Sequence, residues 1–258
     1  MIKRELTLFF IALGFFTRIP MPSWVEVDSE GLNKASRYFA LVGLLVGLIS
    51  ALVYLLASQL LPVSVAIILG MIASVMVTGG FHEDGLADTA DGFGGGWTVE
   101  DKLNIMKDSR VGSYGVLALV FALLLKFVLL NEIALFDSGK VVAALVVSHC
   151  LSRVLAASII YSEPYVREDA NSKSKPLAQA QSFNELMLLL ATGALALWFT
   201  DIANALGLCI ALYLLRYLII VGFRRQIGGY TGDTLGAAQQ LTELACYLFI
   251  LISLFGQA

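Results

Sequence analysis

The chain has 258 residues, of which 58 % are hydrophobic and only 14 % charged, with a formal net charge of −3. A water-soluble domain of this composition would lack the polar surface to cover itself, so the excess apolar side chains must face lipid. So small a net charge, with no basic tail and no RNA-type aromatic motif, argues against nucleic acid as a partner.

The chain opens with Met1-Ile2-Lys3-Arg4 and an apolar stretch from Leu6 to Phe16, the basic and apolar parts of a signal peptide. No small-residue cleavage site follows, and Thr17-Arg18-Ile19-Pro20-Met21-Pro22 comes instead, so this segment is expected to be retained. It barely reaches across a bilayer, which leaves an interfacial or re-entrant helix as an alternative to a span. Phe9-Phe10, Phe15-Phe16 and Trp24 read as interfacial anchors. Apolar runs then recur at 38–60, 63–81, 114–136, 141–161, 183–200, 202–223 and 235–256. Each is near the ~20 residues a helix needs to cross the hydrocarbon. The expected fold is therefore all-α, a polytopic membrane bundle of about seven transmembrane helices plus the N-terminal helix. The polar gaps 17–37, 82–113 and 162–182 insert no soluble domain, so residues 1–258 are expected to form one integral membrane domain.

Alternate threading puts 17–37, 82–113, 162–182 and 224–234 on one face. That face carries Arg18, Lys34, Arg37, Lys102, Lys107, Arg110, Arg167, Lys173, Lys175, Arg224 and Arg225, against Lys140 on the other. By the positive-inside rule the first face is cytoplasmic, which implies a multi-pass protein of the bacterial inner membrane. Cys150, Cys209 and Cys246 each stand alone in an apolar run, with no metal spacing, and read as small core residues in a reduced setting.

The most informative stretch is His82-Glu83-Asp84-Gly85-Leu86-Ala87-Asp88-Thr89-Ala90-Asp91-Gly92-Phe93-Gly94-Gly95-Gly96, after about twenty almost uncharged residues. On a helix, Asp84, Asp88 and Asp91 fall at i, i+4 and i+7 and share one face. Three gathered carboxylates repel unless a cation neutralises them, and their hard oxygens suit Mg²⁺, with Mn²⁺ or Ca²⁺ as substitutes. The stretch therefore reads as a divalent-metal site at the membrane surface, with Glu83 alongside. A solvated loop, a helix cap or a cation pathway are the plainer alternatives, and the glycines weigh against the first by offering close backbone approach to a ligand.

A second cluster, Asp108-Ser109-Arg110-Val111-Gly112-Ser113, precedes the third apolar run. It can be a simple helix start, or a phosphate site in which free N–H groups and the Arg110 fork meet an anion. A third, Arg224-Arg225-Gln226-Ile227-Gly228-Gly229-Tyr230-Thr231-Gly232-Asp233-Thr234, lies between the last two runs. Positive-inside flanking and a capping aspartate would account for most of it. The functional alternative makes Arg225 a phosphate clamp and Asp233 a metal ligand or general base. Within the spans, Lys126, His149, Arg153, Arg216 and Glu243 are ionisable, and such groups default to functional candidates or bundle-pinning ion pairs. Arg153, Arg216 and Glu243 fall at a common depth and are expected to form one network under the acidic stretch.

Carboxylates for a hard cation, glycine-rich loops and arginines together suit a phosphate or diphosphate. No Walker-type loop is present, so a nucleotide would be held through metal. An alcohol attacking a diphosphate fits this equipment, with Asp233 or Asp91 as the base.

Phe81-His82-x-Asp84-Gly85-Leu86-Ala87-Asp88-Thr89-x-Asp91-Gly92, Asp108-Ser109-Arg110-Val111-Gly112, Ser152-Arg153 and Gly228-Gly229-x-Thr231-Gly232-Asp233-Thr234-Leu235-Gly236-Ala237 resemble the cobalamin synthase (adenosylcobinamide-GDP ribazoletransferase) family. The resemblance runs from Phe16-Thr17-Arg18-Ile19-Pro20 to near the C-terminus. It implies a Mg²⁺-dependent membrane enzyme joining α-ribazole, or its 5′-phosphate, to adenosylcobinamide-GDP with release of GMP. Carried over by position, it makes Asp84, Asp88 and Asp91 the metal ligands, while position 83 is not fixed in the family pattern. Arg110, Arg153 and Arg225 become anion contacts, with Asp108, Ser109, Gly228, Gly229, Thr231 and Gly232 around the substrate. It leaves a homo-oligomer open. Two other classes compete on the residues alone. A CDP-alcohol phosphotransferase-like lipid enzyme lacks its signature here, because Ala87 is followed by Asp88 rather than arginine. A cation or metabolite transporter would set its acids near the midplane, often within an internal repeat.

Overall fold

A computed structural model describes residues 2–167 and 180–256; Lys173 and Lys175 of the expected basic face lie outside the described residues. All regular structure among these residues is helical, apart from one isolated parallel bridge between Tyr165 and Tyr230. The helices are α1 (Ile2–Phe16), α2 (Ser29–Ala35), α3 (Phe39–Ser58), α4 (Val63–Thr78), α5 (Phe81–Gly95), α6 (Val99–Ile105), α7 (Ser113–Phe136), α8 (Lys140–Ser162), α9 (Phe183–Ala196), α10 (Ile202–Ile227) and α11 (Gly232–Phe255).

Five of these helical stretches, those containing α3, α7, α8, α10 and α11, are long and apolar enough to cross a membrane, and α4 with α5 makes a sixth only as a bent pair. The chain is thus a multi-pass membrane protein. The expected span at 183–200 is shorter than predicted: α9 and its 3-10 extension Leu197–Phe199 form an apolar helix that falls just below that length. Helix α8 is the hub, with 89 % of its apolar window buried, whereas α10 at 22 % is peripheral and turns Leu206, Ile210, Tyr213 and Tyr217 outward. Outward apolar side chains on such a helix are the lipid-facing surface that the composition demands.

Small residues set the closest helix approach. Gly43 and Gly47, four apart on α3, face the backbone of α8; a Cβ on Gly47 would fall 2.9 Å from the Leu145 carbonyl oxygen. Without a hydrophobic force between helices in lipid, such small-residue seams let backbones pack at van der Waals distance.

Two ends of the bundle are distinguishable. At one, the Arg18 N–H donates to the Val77 carbonyl at 2.7 Å, Gln181 reaches Ser36, Lys102 reaches Gln226, and Val166 bonds Tyr230. At the other, the Tyr54 hydroxyl donates to the Ser138 carbonyl and the Phe136 and Phe255 rings meet edge-on. The described parts of the polar gaps therefore gather at the first end, as threaded from sequence. Helix α1 lies along that same end, because Glu5 near its start pairs with Arg37 and Tyr38, while Phe16 at its end packs on Phe81 and His82. Phe16 is buried there rather than an interfacial anchor. Cys150 and Cys246 are buried as expected, but Cys209 is exposed on α10.

The corner between α4 and α5 positions the acidic stretch. Gly79 and Gly80 both take left-handed φ angles, 69° and 71°, a conformation that side-chain-bearing residues rarely adopt. The helix turns by 86° there, so α5 lies across the bundle end instead of running out of it.

Candidate functional site

Helix α5 crosses the first turn of α11 at a glycine pair. A Cβ on Gly85 would come within 2.7 Å of the Asp233 carbonyl oxygen and 3.1 Å of the Gly236 Cα. That contact brings the Asp84–Asp88 face beside Asp233. Asp84 is exposed and Asp88 half-buried. Burial, with the Asp233 and Asp84 carboxylates nearby, pushes the Asp88 carboxyl up to about 7, against a partial offset from Arg167. Crowding of this kind marks a place where extra positive charge is favourable.

Asp233 is held from two directions. Thr231 and Thr234 form a capping box, with Thr231 N–H donating to Thr234 Oγ1 at 2.8 Å and Thr234 N–H to Thr231 Oγ1 at 3.3 Å. Arg167 Nη2 donates to Asp233 Oδ2 at 2.8 Å. Gly228 ends α10 with a φ of 81°, and Gly229 packs so tightly on the Pro164 carbonyl that any side chain would collide. Tyr230 N–H donates to the Pro164 carbonyl and Val166 N–H to the Tyr230 carbonyl, each at 3.0 Å. This ladder sets Arg167 opposite Asp233. Gly228, Gly229 and Thr231, expected around the substrate, thus shape the turn into α11 and seat it against the segment that carries Arg167.

Several predicted residues sit elsewhere. Asp91, expected as a metal ligand or base, has both carboxylate oxygens occupied: Oδ2 accepts from Gly112 N–H at 2.7 Å and Oδ1 from Gly115 N–H at 2.9 Å. It caps α7 from a neighbouring helix, satisfying N–H groups that a helix start otherwise leaves free. Glu83, expected beside the metal, turns into the bundle and accepts from Gln240 at 3.1 Å, with its Oε2 buried and unbonded. Arg110 is exposed and folds back on Asp108 at 2.5–3.0 Å, within its own turn beside the exposed Ser109. That pairing holds the Asp108 carboxyl down to about 2. Arg225 is exposed in the last turn of α10, while its neighbour Arg224 forks onto Glu163 at 2.6 and 2.9 Å. Arg153 is buried, donating to the His149 carbonyl at 2.8 Å, and lines a small apolar cavity with Phe16, His82 and Gly232.

Beneath the acids runs a continuous buried polar chain. Gln240 links Glu83 to Gln239, and Gln239 donates to Glu243 Oε2 at 2.8 Å. Glu243 pairs with Lys126, accepts from the Tyr247 hydroxyl at 2.9 Å and lies 3.5 Å from His149. The expected network is therefore real for Glu243, with Arg153 joined to it through His149. Arg216 is separate, bonded to Ser158 and Ser162 at 2.6–3.0 Å.

The residues brought together are thus Asp84, Asp88, Asp233 and Arg167. Arg167 was missed as a site residue because a lone arginine in a polar gap reads as a topology signal. Among the described residues, no three His, Cys, Asp or Glu side chains converge closely enough to hold a metal ion unaided. Mg²⁺ is ordinarily held by one or two carboxylates together with substrate phosphates and water, so this donor set fits such an ion when a phosphate ligand shares it.

The family model for cobalamin-5-phosphate synthase matches residues 8–251. A Shewanella pealeana protein named adenosylcobinamide-GDP ribazoletransferase is 68 % identical over 250 residues, covering 97 % of this chain and 96 % of its own. Relatives of the same name from Shewanella woodyi and Shewanella baltica are 66 % and 63 % identical, covering 97 % and 96 % of this chain and 97 % and 95 % of their own. No solved structure matches. Matched over almost its whole length by that family and by these relatives, the chain belongs to the cobalamin-5-phosphate synthase family.

Proposed function

We infer that this protein is an adenosylcobinamide-GDP ribazoletransferase of the bacterial inner membrane, with its site facing the cytoplasm and Mg²⁺ as its cofactor. The ribose hydroxyl of α-ribazole, or of its 5′-phosphate, forms a new bond to the phosphorus next to the cobinamide. The bond from that phosphorus to the bridging oxygen breaks, and GMP departs with the oxygen. The product is adenosylcobalamin or its 5′-phosphate.

The observation that carries this reading is the juxtaposition of Asp84, Asp88 and Asp233 at the end of the bundle, with an arginine among them. Asp84 and Asp88 would hold the ion, which when bound neutralises phosphate oxygens and the departing charge. Asp233, fixed by the capping box and by Arg167, would take the hydroxyl proton. The exposed Arg225, and Arg110 once released from Asp108, would serve as outer anion contacts that steer a polyphosphate.

The test is GMP release by the purified protein supplied with adenosylcobinamide-GDP. Release is expected only with both Mg²⁺ and an α-ribazole acceptor present. GMP formed equally well without acceptor, or undiminished in a chelator, contradicts the reading.

A further inference from the structure

Arg167 belongs to no motif in the sequence, yet it is bonded to one of the acids and stands near a second. Its side chain is 16 % exposed, its Nη2 is fixed on Asp233 Oδ2 at 2.8 Å, and its charge acts on Asp88 as well. The backbone ladder between Pro164–Val166 and Tyr230 builds this position. Among the described residues Nη2 is the donor engaged, and Nε is buried without a hydrogen-bond partner, a costly arrangement unless a ligand accepts from it. Other arginines of this end are engaged elsewhere: Arg224 with Glu163, Arg110 with Asp108 and Arg37 with Glu5 and Glu185.

Charge count gives the arrangement a direction. Three carboxylates, Asp84, Asp88 and Asp233, face one guanidinium, so the cluster stays negative until a divalent cation joins it. One divalent ion neutralises the cluster and takes over as the counter-charge on the carboxylates, which frees the guanidinium fork for the phosphate oxygens that share the ion. We propose that Arg167 is the diphosphate-contacting arginine of this site, resting on Asp233 as an internal counter-ion in the free protein and offering its fork to phosphate oxygens when a divalent cation is bound. This rests on the reading of the acidic site given above.

Two binding measurements on full-length protein in detergent micelles test it without turnover. Electron paramagnetic resonance follows Mn²⁺ binding, and calorimetry follows inorganic pyrophosphate in the presence of Mn²⁺. Arg167→Gln removes the cation that competes for the carboxylates, so Mn²⁺ should bind about tenfold more tightly. Pyrophosphate should bind about tenfold more weakly in the same variant. Arg167→Lys keeps the charge and loses the fork, so Mn²⁺ affinity should match wild type while pyrophosphate affinity still falls. The lysine variant decides alone if the glutamine variant is not recovered as a monodisperse species. Pyrophosphate affinity unchanged in the variants, or Mn²⁺ bound no more tightly by Arg167→Gln, overturns the role of Arg167 and leaves the metal site standing. Failure of the wild-type chain to bind Mn²⁺, with or without pyrophosphate, overturns both readings together.

Discussion

Asp88→Asn is expected to lower turnover by about 10²–10³-fold while leaving the protein folded and inserted. The substitution keeps the shape of the side chain and removes only its charge. Asp88 is half-buried, and that burial, with Asp233 on α11 and Asp84 one turn away on the same helix, pushes its carboxyl up to about 7. Removing one of several mutually repelling charges relieves strain in the ligand-free protein, so the unfolding midpoint should hold steady or rise. Loss of activity at constant or increased stability separates a ligand-binding role from a structural one. GMP release and thermal unfolding measured on the same preparation provide both readouts, and full activity in Asp88→Asn would remove this residue from the metal set.

The largest effect on stability is expected deep in the bundle, from Glu243→Ala. Glu243 is 1 % exposed and pairs with Lys126, itself 3 % exposed, inside helices read as membrane spans. Truncating one partner leaves an uncompensated charge in a medium that cannot solvate it, at a cost of about 3–5 kcal/mol. The Tyr247 hydroxyl and the Gln239 amide lose their acceptor at the same time. Replacing both charges by apolar residues, Lys126→Met with Glu243→Leu, should recover most of that loss, because a paired buried charge adds little net stability over well-packed hydrocarbon. Unfolding in detergent measures each variant. A single substitution that costs under about 1 kcal/mol would mean that water reaches Lys126.

Much of this architecture is legible from composition and period. The apolar runs mark the crossing helices, and the four-residue step from Asp84 to Asp88 puts both carboxylates on one helix face. Asp91 follows the same period, yet its partners are the Gly112 and Gly115 N–H groups, more than twenty residues away. A helical wheel gives a direction but not what stands in it. The corner at Gly79-Gly80 was illegible for a related reason: glycine permits left-handed φ without requiring it, so the 86° turn that lays α5 across the bundle is set by packing. Glu83 and Asp84 differ by one residue, about 100° around a helix, and that rotation sends one inward to Gln240 and leaves the other at the surface. Arginines were hardest to rank. Positive-inside flanking supplies many on this face, and only the Pro164–Val166 ladder against Tyr230 distinguishes Arg167 from the rest.

The most direct test of the central claim is a structure of the protein with Mn²⁺ and pyrophosphate, with the ion located by its anomalous scattering. The expected result is an Mn²⁺ peak at coordination distance from Asp84 and Asp88, bridged to a phosphate oxygen on the side of Asp233. A peak bound away from these carboxylates, or the two side chains empty at saturating ion, would contradict it.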